Sequence, residues 1–336
     1  MTIQILSTLG PGSLAKETVQ ALVKKGVNLF RINLSHTVLD DVEGIISQIQ
    51  SWTDVPVCLD SEGAQVRNGF MESGSVVFQT GDLVTIHPEA IVGDGQNISF
   101  TPASVFSQLN EGDEIRVDFD SVAFRIIEKE SDQLIATVLQ GGHVGSNKGA
   151  VVSRPLKLDP ITPKDQAALK IGLAMGIKNF ALSFTHCAED VRRVRKIIGN
   201  NTLISKIESI QGVLNLKEIL PHVDQILIDR GDLSREIPIE KIPFIQRSII
   251  NYARMYETPV YVATNLLESM INHGSPTRAE ANDVASTLLM GASGLVLAAE
   301  TAIGQYPVES VEMITAIIQQ FEQWSPDTTF QDLIES

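Results

Sequence analysis

The stretch Leu203-Ile204-Ser205-Lys206-Ile207-Glu208-Ser209 decides how the chain is read. It begins as a buried β-strand, rich in branched apolar residues, and ends in a Lys and a Glu two positions apart. Side chains at i and i+2 of a strand share a face, so Lys206 and Glu208 point the same way at the strand's C-terminal end. A core strand that finishes in paired charge raises the question of what an acid and a base do together at that end.

Working outward, the same design recurs. Short apolar, β-branched runs at 3–7, 27–33, 56–60, 179–184, 203–208, 225–229, 259–264 and 294–299 read as strands. Most lack polar alternation, as strands covered on both faces of a parallel sheet do. Amphipathic segments follow them at 14–25, 39–52, 163–175, 188–198, 210–220, 243–256, 278–290 and 308–321. Eight β-then-α units in 336 residues fit a (β/α)8 TIM barrel better than an open doubly wound sheet.

One connection breaks the rhythm. After the third strand the chain becomes alternating and turn-punctuated, as antiparallel strands do. The expected organisation is a barrel at 1–67 and 154–325, a small all-β, barrel-like lid domain at 68–153, and a polar tail at 326–336. The Gly-rich segment 141–149 fits neither a P-loop nor a dinucleotide fingerprint and reads as a tight turn. Thr277-Arg278-Ala279-Glu280 has the capping-box pattern that opens a helix.

The chain is 43% hydrophobic and 20% charged, an ordered globular composition. Its 41 acidic residues against 26 basic ones, a net charge of −15, argue against a general nucleic-acid or acidic-membrane surface. A small basic pocket for a phosphorylated ligand stays compatible. Cys58 and Cys187 have no paired spacing, so neither a disulfide framework nor a zinc site is expected. No apolar stretch approaches the roughly 20 residues that span a bilayer, and the N-terminus lacks a signal pattern. The expected location is cytoplasmic.

Barrels of this type work at the C-terminal ends of their strands, and those ends are polar here. They carry Arg31, Asn33, Ser35 and His36, then Asp60, Ser61 and Glu62, then Ser183, Lys206 and Glu208, Asp229 and Asp232, Thr264 and Glu300. Any one of these could simply mark where a strand meets water; convergence on one mouth favours function. Glu208 and Asp232 are hard oxygen ligands suited to Mg2+, which takes one or two carboxylates and keeps positions for water and phosphate. A salt-bridge network is the competing explanation. Lys206 could neutralise a transferring phosphoryl group, act as an acid or form a Schiff base, and Arg31 adds a second cation. Asn33, Ser35 and Asp60 could hold a monovalent cation or cap helices.

At these residues the chain resembles the pyruvate kinase family. The resemblance runs through STLGPGS (7–13), RINLSH (31–36), LDSEGAQVRNG (59–69), NKG (147–149), ALSF (181–184), KIES (206–209), DRGDLSREIP (229–238), VATNLLESM (262–270), PTRAEANDVA (276–285) and ETAIGQYPVE (300–309). It implies a (β/α)8 barrel with a β-rich lid after the third strand, and Mg2+- or Mn2+-dependent phosphoryl transfer from phosphoenolpyruvate to ADP, giving pyruvate and ATP. Position by position, it implies that Lys206 and Arg31 handle the phosphoryl group and that Glu208 and Asp232 hold Mg2+. The Gly231 and Asp232 amides, with Thr264, would receive the substrate carboxylate, and Thr264 lies near the route of enolate protonation. Asn33, Ser35, Asp60 and the Ser61 carbonyl match the family's K+ site, and His36, Arg67 and Lys148 its nucleotide side. A barrel-to-barrel homodimer around Arg278 is also implied.

The chain departs from the family in places. Glu62 puts an anion where the family has Lys, and Gln65 leaves the K+ requirement open. Asp118-Phe119-Asp120 replaces the lid's Asp-Asp-Gly, and Ala298-Ala299 replaces a Ser-Gly. The sequence also stops where the family continues into an effector-binding domain, so sugar-phosphate regulation through that domain is expected to be absent. These departures keep two alternatives open: a metal-enolate enzyme acting on phosphoenolpyruvate, pyruvate or oxaloacetate with a different acceptor, and a non-catalytic metabolite-binding paralogue.

Overall fold

The structure, a computed structural model, describes residues 2–118 and 121–335. The chain divides into two compact units, Met1–Gly63 with Pro160–Ser336, and Ala64–Asp159. The second unit is wider than the expected 68–153. Its core takes in Val66 at one end and packs Leu156 and Leu158 at the other.

The first unit is built on eight strands: β1 (Gln4–Thr8), β2 (Leu29–Asn33), β3 (Val57–Asp60), β4 (Asn179–Leu182), β5 (Thr202–Ile207), β6 (Gln225–Asp229), β7 (Val260–Ala263) and β8 (Gly294–Leu297). Each pairs in parallel with its sequence neighbour, and β1 closes on β8. The expected TIM barrel is therefore present. Strands β4 and β7 stop two residues and one residue short of their expected ends because Phe184 (φ 50°) and Thr264 (φ 68°) enter the left-handed region, which ends extended pairing.

Outward-facing strand residues pack against the amphipathic helices in one continuous apolar core. Helix Ala188–Ile198, for example, buries Ala188, Val191, Val194 and Ile198, a spacing that keeps one face inward. Its opposite face carries Arg192, Arg193 and Lys196. The segment expected as one helix at 210–220 is instead Ile210–Leu214, Leu216–Ile219 and a 3-10 turn Leu220–His222. Asn215 sits at the break with its side-chain amide donated to the His186 carbonyl.

Inside the barrel, Leu6, Leu29, Cys58, Ala181, Ile204, Leu227, Tyr261, Ala263 and Val296 form a separate apolar layer. Tyr261 fits because β8 offers Gly294 beside it, where a Cβ would collide with the ring. This layer is the floor on which the next inward positions stand.

In the second unit, Val66–Asn68, Leu83–His87, Asn97–Thr101, Glu114–Val117, Val122–Lys129, Leu134–Gln140 and Gly149–Val152 close a seven-stranded barrel. Its pairings are antiparallel apart from Leu83–His87 beside Asn97–Thr101, which is parallel. Phe78 and Phe124 meet edge to face at 5.2 Å in its core. The Gly-rich segment is not only a turn: Gly142–Gly145 is a strand paired with Ser75–Phe78. Phe119 and Asp120 lie outside the described residues. The tail carries a short helix, Phe330–Glu335.

Candidate active site

Moving two residues along a strand keeps the same face, so the second position after each floor residue also points inward. Leu6 leads to Thr8, Leu29 to Arg31, Cys58 to Asp60, Ala181 to Ser183, Ile204 to Lys206 and Leu227 to Asp229. A polar layer thus stands directly above the apolar one at the C-terminal mouth. Arg31, Asp60, Ser183, Lys206, Glu208 and Asp229 are all buried within it.

Burying this much charge is tolerable only when it is paired and hydrogen-bonded. The Lys206 ammonium donates to Ser183 Oγ (2.9 Å) and Asp60 Oδ2 (3.4 Å), and lies 3.2 Å from Glu208 Oε2 and 3.8 Å from Asp229 Oδ2. Arg31 donates from Nε to Thr8 Oγ1 (2.8 Å) and from Nη1 to Asp60 Oδ2 (3.1 Å). Ser183 Oγ donates on to Asp60 Oδ1 (3.2 Å). Burial alone would lower the Lys206 pKa, but Asp60, Glu208 and Asp229 outweigh it and push the ammonium well above its ordinary range. Lys206 is a fixed cation.

Glu208 has the opposite imbalance. Burial, against the pull of Lys206 and with the charges of Asp232, Asp229 and Asp60 adding to it, raises its carboxyl to about 8. One oxygen accepts the Phe184 amide at 2.6 Å, while Oε2 is buried without a hydrogen bond. Asp229 is also buried, but Lys206, Arg31 and the Thr264 hydroxyl hold it below the ordinary carboxylate range. Glu208, Asp229 and Asp232 can bring one oxygen each within 4.8 Å of one another. Three convergent hard oxygens, in a cluster where Glu208 Oε2 has no hydrogen bond, fit a small divalent cation.

Thr264 carries a left-handed backbone that costs a β-branched residue roughly 1–3 kcal/mol. The conformation is braced: the Arg230 guanidinium donates to the Thr264 carbonyl at 2.6 Å and to Asp283 at 2.6 Å. The Thr264 hydroxyl donates to Asp229 Oδ1 (2.8 Å) and accepts the Gly231 amide (3.0 Å). Thus Thr264, Gly231 and Asp229 form one hydrogen-bonded unit, and the amide expected to receive a carboxylate already has an internal partner. The Asp232 amide reaches Asp229 Oδ1 only at 3.5 Å.

The four residues expected around K+ lie together at the ends of β2 and β3, where Asn33 is the register partner of Asp60. Asn33 Oδ1 accepts the Ser35 amide at 3.0 Å and Ser61 Oγ accepts the Ser183 amide at 3.0 Å. Asp60 serves Arg31, Lys206 and Ser183. His36 ends the 3-10 turn Leu34–His36 in this unit. Arg67 and Lys148 belong to the second unit and are near neighbours there: Arg67 pairs in register with Gly149 and donates to the Asn147 carbonyl at 2.8 Å. Lys148 lies 3.6 Å from Asp118.

Several residues escaped the sequence reading. Asp229 stands at a strand end with no ligand role expected from sequence, although its parity with Leu227 aims it inward. Ser183, also among the polar strand ends but without a role from sequence, and Thr8 hold the two cations and follow from the same parity. Lys164 had no local signal at all: it donates to Glu62 Oε1 at 2.7 Å and to the Leu34 carbonyl at 2.6 Å. The anion at Glu62 therefore has its own counter-ion.

A closed parallel barrel with a buried lysine among carboxylates at its C-terminal mouth has the architecture of a barrel enzyme. Comparison with known proteins is specific. The chain matches the family model "Pyruvate kinase, barrel domain" over residues 1–311. It is 33% identical to the pyruvate kinase of Thermotoga maritima, across 95% of this chain and 71% of that protein. It is 34% identical to that of Geobacillus stearothermophilus, across 95% of this chain and 57% of that protein. A crystal structure of a pyruvate kinase from Cryptosporidium parvum superposes with a TM-score of 0.87 at 29% identity, covering 97% of this chain and 70% of that one. The chain belongs to the pyruvate kinase family.

Proposed function

We propose that this chain is a pyruvate kinase-type phosphotransferase that moves the phosphoryl group of phosphoenolpyruvate to ADP with Mg2+ or Mn2+, giving pyruvate and ATP. The observation that carries this is the single buried cluster of Lys206 with Glu208 and Asp229 (3.2 and 3.8 Å), joined by Asp232. A divalent cation held by Glu208, Asp232 and Asp229 would neutralise and orient phosphoryl oxygens.

Lys206 presents a permanent positive charge to the transferring group. Its raised pKa argues against a Schiff-base role, which needs the neutral amine. Arg31, fixed by Thr8 and Asp60, adds the second cation. The substrate carboxylate would take the Gly231 amide over from Thr264, whose hydroxyl stays oriented by Asp229 beside the carbon to be protonated. K+ at Asn33, Ser35, Asp60 and the Ser61 carbonyl, ADP as the phosphoryl acceptor, and a homodimer through the barrel in the cytoplasm complete the proposal. Among the described residues no helix is long and apolar enough to cross a membrane.

Glu62 is one of three departures, with Phe119 and Ala298, that favour a different acceptor. Its pairing with Lys164 supports the ADP reaction, because no uncompensated anion is presented. The test is methyl-proton exchange of pyruvate in D2O with Mg2+, alongside pyruvate release from phosphoenolpyruvate with and without ADP. ADP-dependent release is expected; exchange without it would favour another acceptor, and neither would indicate a binding protein.

A further inference from the structure

Resting on the divalent-cation proposal above, we infer that Arg235 is a positioning residue that sets the balance between cation and anion affinity at the mouth. Arg235 follows the short helix Arg230–Leu233. Its backbone amide donates to the Asp232 carbonyl at 3.0 Å, and its Nη2 lies 3.1 Å from Asp232 Oδ1. The two side chains are 23% and 22% exposed, and the pair links the short helix to the residues that follow it. A contribution to fold stability would not by itself single out one of the three convergent acids for a guanidinium partner.

Electrostatics does. Asp232 is the least buried of the three convergent acids, and the other two already face Lys206. Arg235 gives the third acid a cation of its own. Counting only the groups linked to the three convergent acids, and taking Glu208 as ionised once it faces a cation, Arg31, Lys206 and Arg235 oppose Asp60, Glu208, Asp229 and Asp232, one negative charge in excess. A divalent cation converts this to one positive charge in excess, which attracts an anionic ligand; without Arg235 the loaded mouth would be neutral. Arg235 thus weakens cation binding by repulsion and strengthens the binding of the phosphorylated anion that follows.

The two effects have opposite signs, which separates this role from a merely structural one. Mn2+ binding to the full chain is measured without substrate by electron paramagnetic resonance for the wild type, Arg235→Gln, Arg235→Lys and Asp232→Asn. Phosphoenolpyruvate binding is then measured by calorimetry at saturating Mn2+ without ADP. Arg235→Gln should bind Mn2+ about three- to tenfold tighter and phosphoenolpyruvate about three- to tenfold weaker, with Arg235→Lys within about twofold of wild type on both. Weakening of both ligands in Arg235→Gln, or no change in either, overturns the inference. If the wild type binds no Mn2+, or Asp232→Asn binds it unchanged, the cation site itself is refuted and the inference falls with it; that result differs from an Arg235 failure on an intact site.

Discussion

Lys206 and Glu208 are in contact and have opposite fates. The lysine is surrounded by acids and stays charged, whereas Glu208 is buried with more negative than positive charge around it and resists ionisation. Replacing Lys206 with Ala should lower ADP-dependent pyruvate formation by roughly 10²–10³-fold, the order lost when one preorganised charge-stabilising group is removed. Wild-type turnover in that variant would remove Lys206 from the mechanism. The Glu208 carboxyl also makes a pH prediction. Its folded pKa, about 8, lies above the ordinary value of 4.5, so the folded state holds the proton more tightly. The associated stability is full below the ordinary pKa and is lost as pH rises through about 8. In chelator-treated protein, the melting temperature should fall between those limits more steeply for wild type than for Glu208→Gln, and Mg2+ should reduce the difference. Parallel wild-type and variant profiles would contradict the assignment. Parity along the strand was enough to aim Lys206 and Glu208 into the mouth from sequence. It could not show the contact between Lys206 and Ser183, which depends on neighbouring strands 23 residues apart in sequence.

At the scale of elements, the site depends on how the loops after the strands are tied down. Asp165 is buried and caps helix Pro163–Ala174, accepting the Thr162 amide at 2.9 Å. The same carboxylate accepts the amides of Glu62 (2.7 Å) and Gly63 (3.1 Å), so it fixes the loop after β3 as well. Gly63 is required there: its φ is 74°, and a Cβ would run into the Ser183 backbone. Asp165→Ala should destabilise the protein by roughly 2–4 kcal/mol, since a helix cap and buried loop amides lose their acceptor together. Urea denaturation checks this, and a change below about 0.5 kcal/mol, the level of an ordinary surface substitution, would contradict it. Thr162, Pro163 and Asp165 form a capping box at the start of this helix, a local contact between near neighbours in sequence. The reach of Asp165 to Glu62 and Gly63 is not legible in sequence, nor is the Lys164–Glu62 pair, because both span about a hundred residues. The left-handed backbones at Phe184 and Thr264 were equally hidden, since neither residue type favours them and only surrounding hydrogen bonds make them tolerable.

At the scale of the molecule, the repeated β-then-α rhythm and its interruption were both legible, because periodicity is a property of many residues at once. The boundaries of the interruption were not, because Val66, Leu156 and Leu158 belong to the second core by packing rather than by pattern. The two units have separate apolar cores, which should show as separate unfolding events. Calorimetry should resolve two transitions, with Mg2+ raising the one that belongs to the (β/α)8 unit by about 2.7 kcal/mol at a concentration 100 times its Kd. A single transition, or equal shifts of both, would contradict this. The central claim is that the mouth transfers a phosphoryl group from phosphoenolpyruvate to ADP. Phosphorus NMR of the chain with phosphoenolpyruvate, ADP and Mg2+ tests it most directly. The predicted result is a γ-phosphate signal of ATP growing as the phosphoenolpyruvate signal falls, abolished by chelation and by Lys206→Ala. Persistence of phosphoenolpyruvate, or its conversion to free phosphate without ATP, would contradict it.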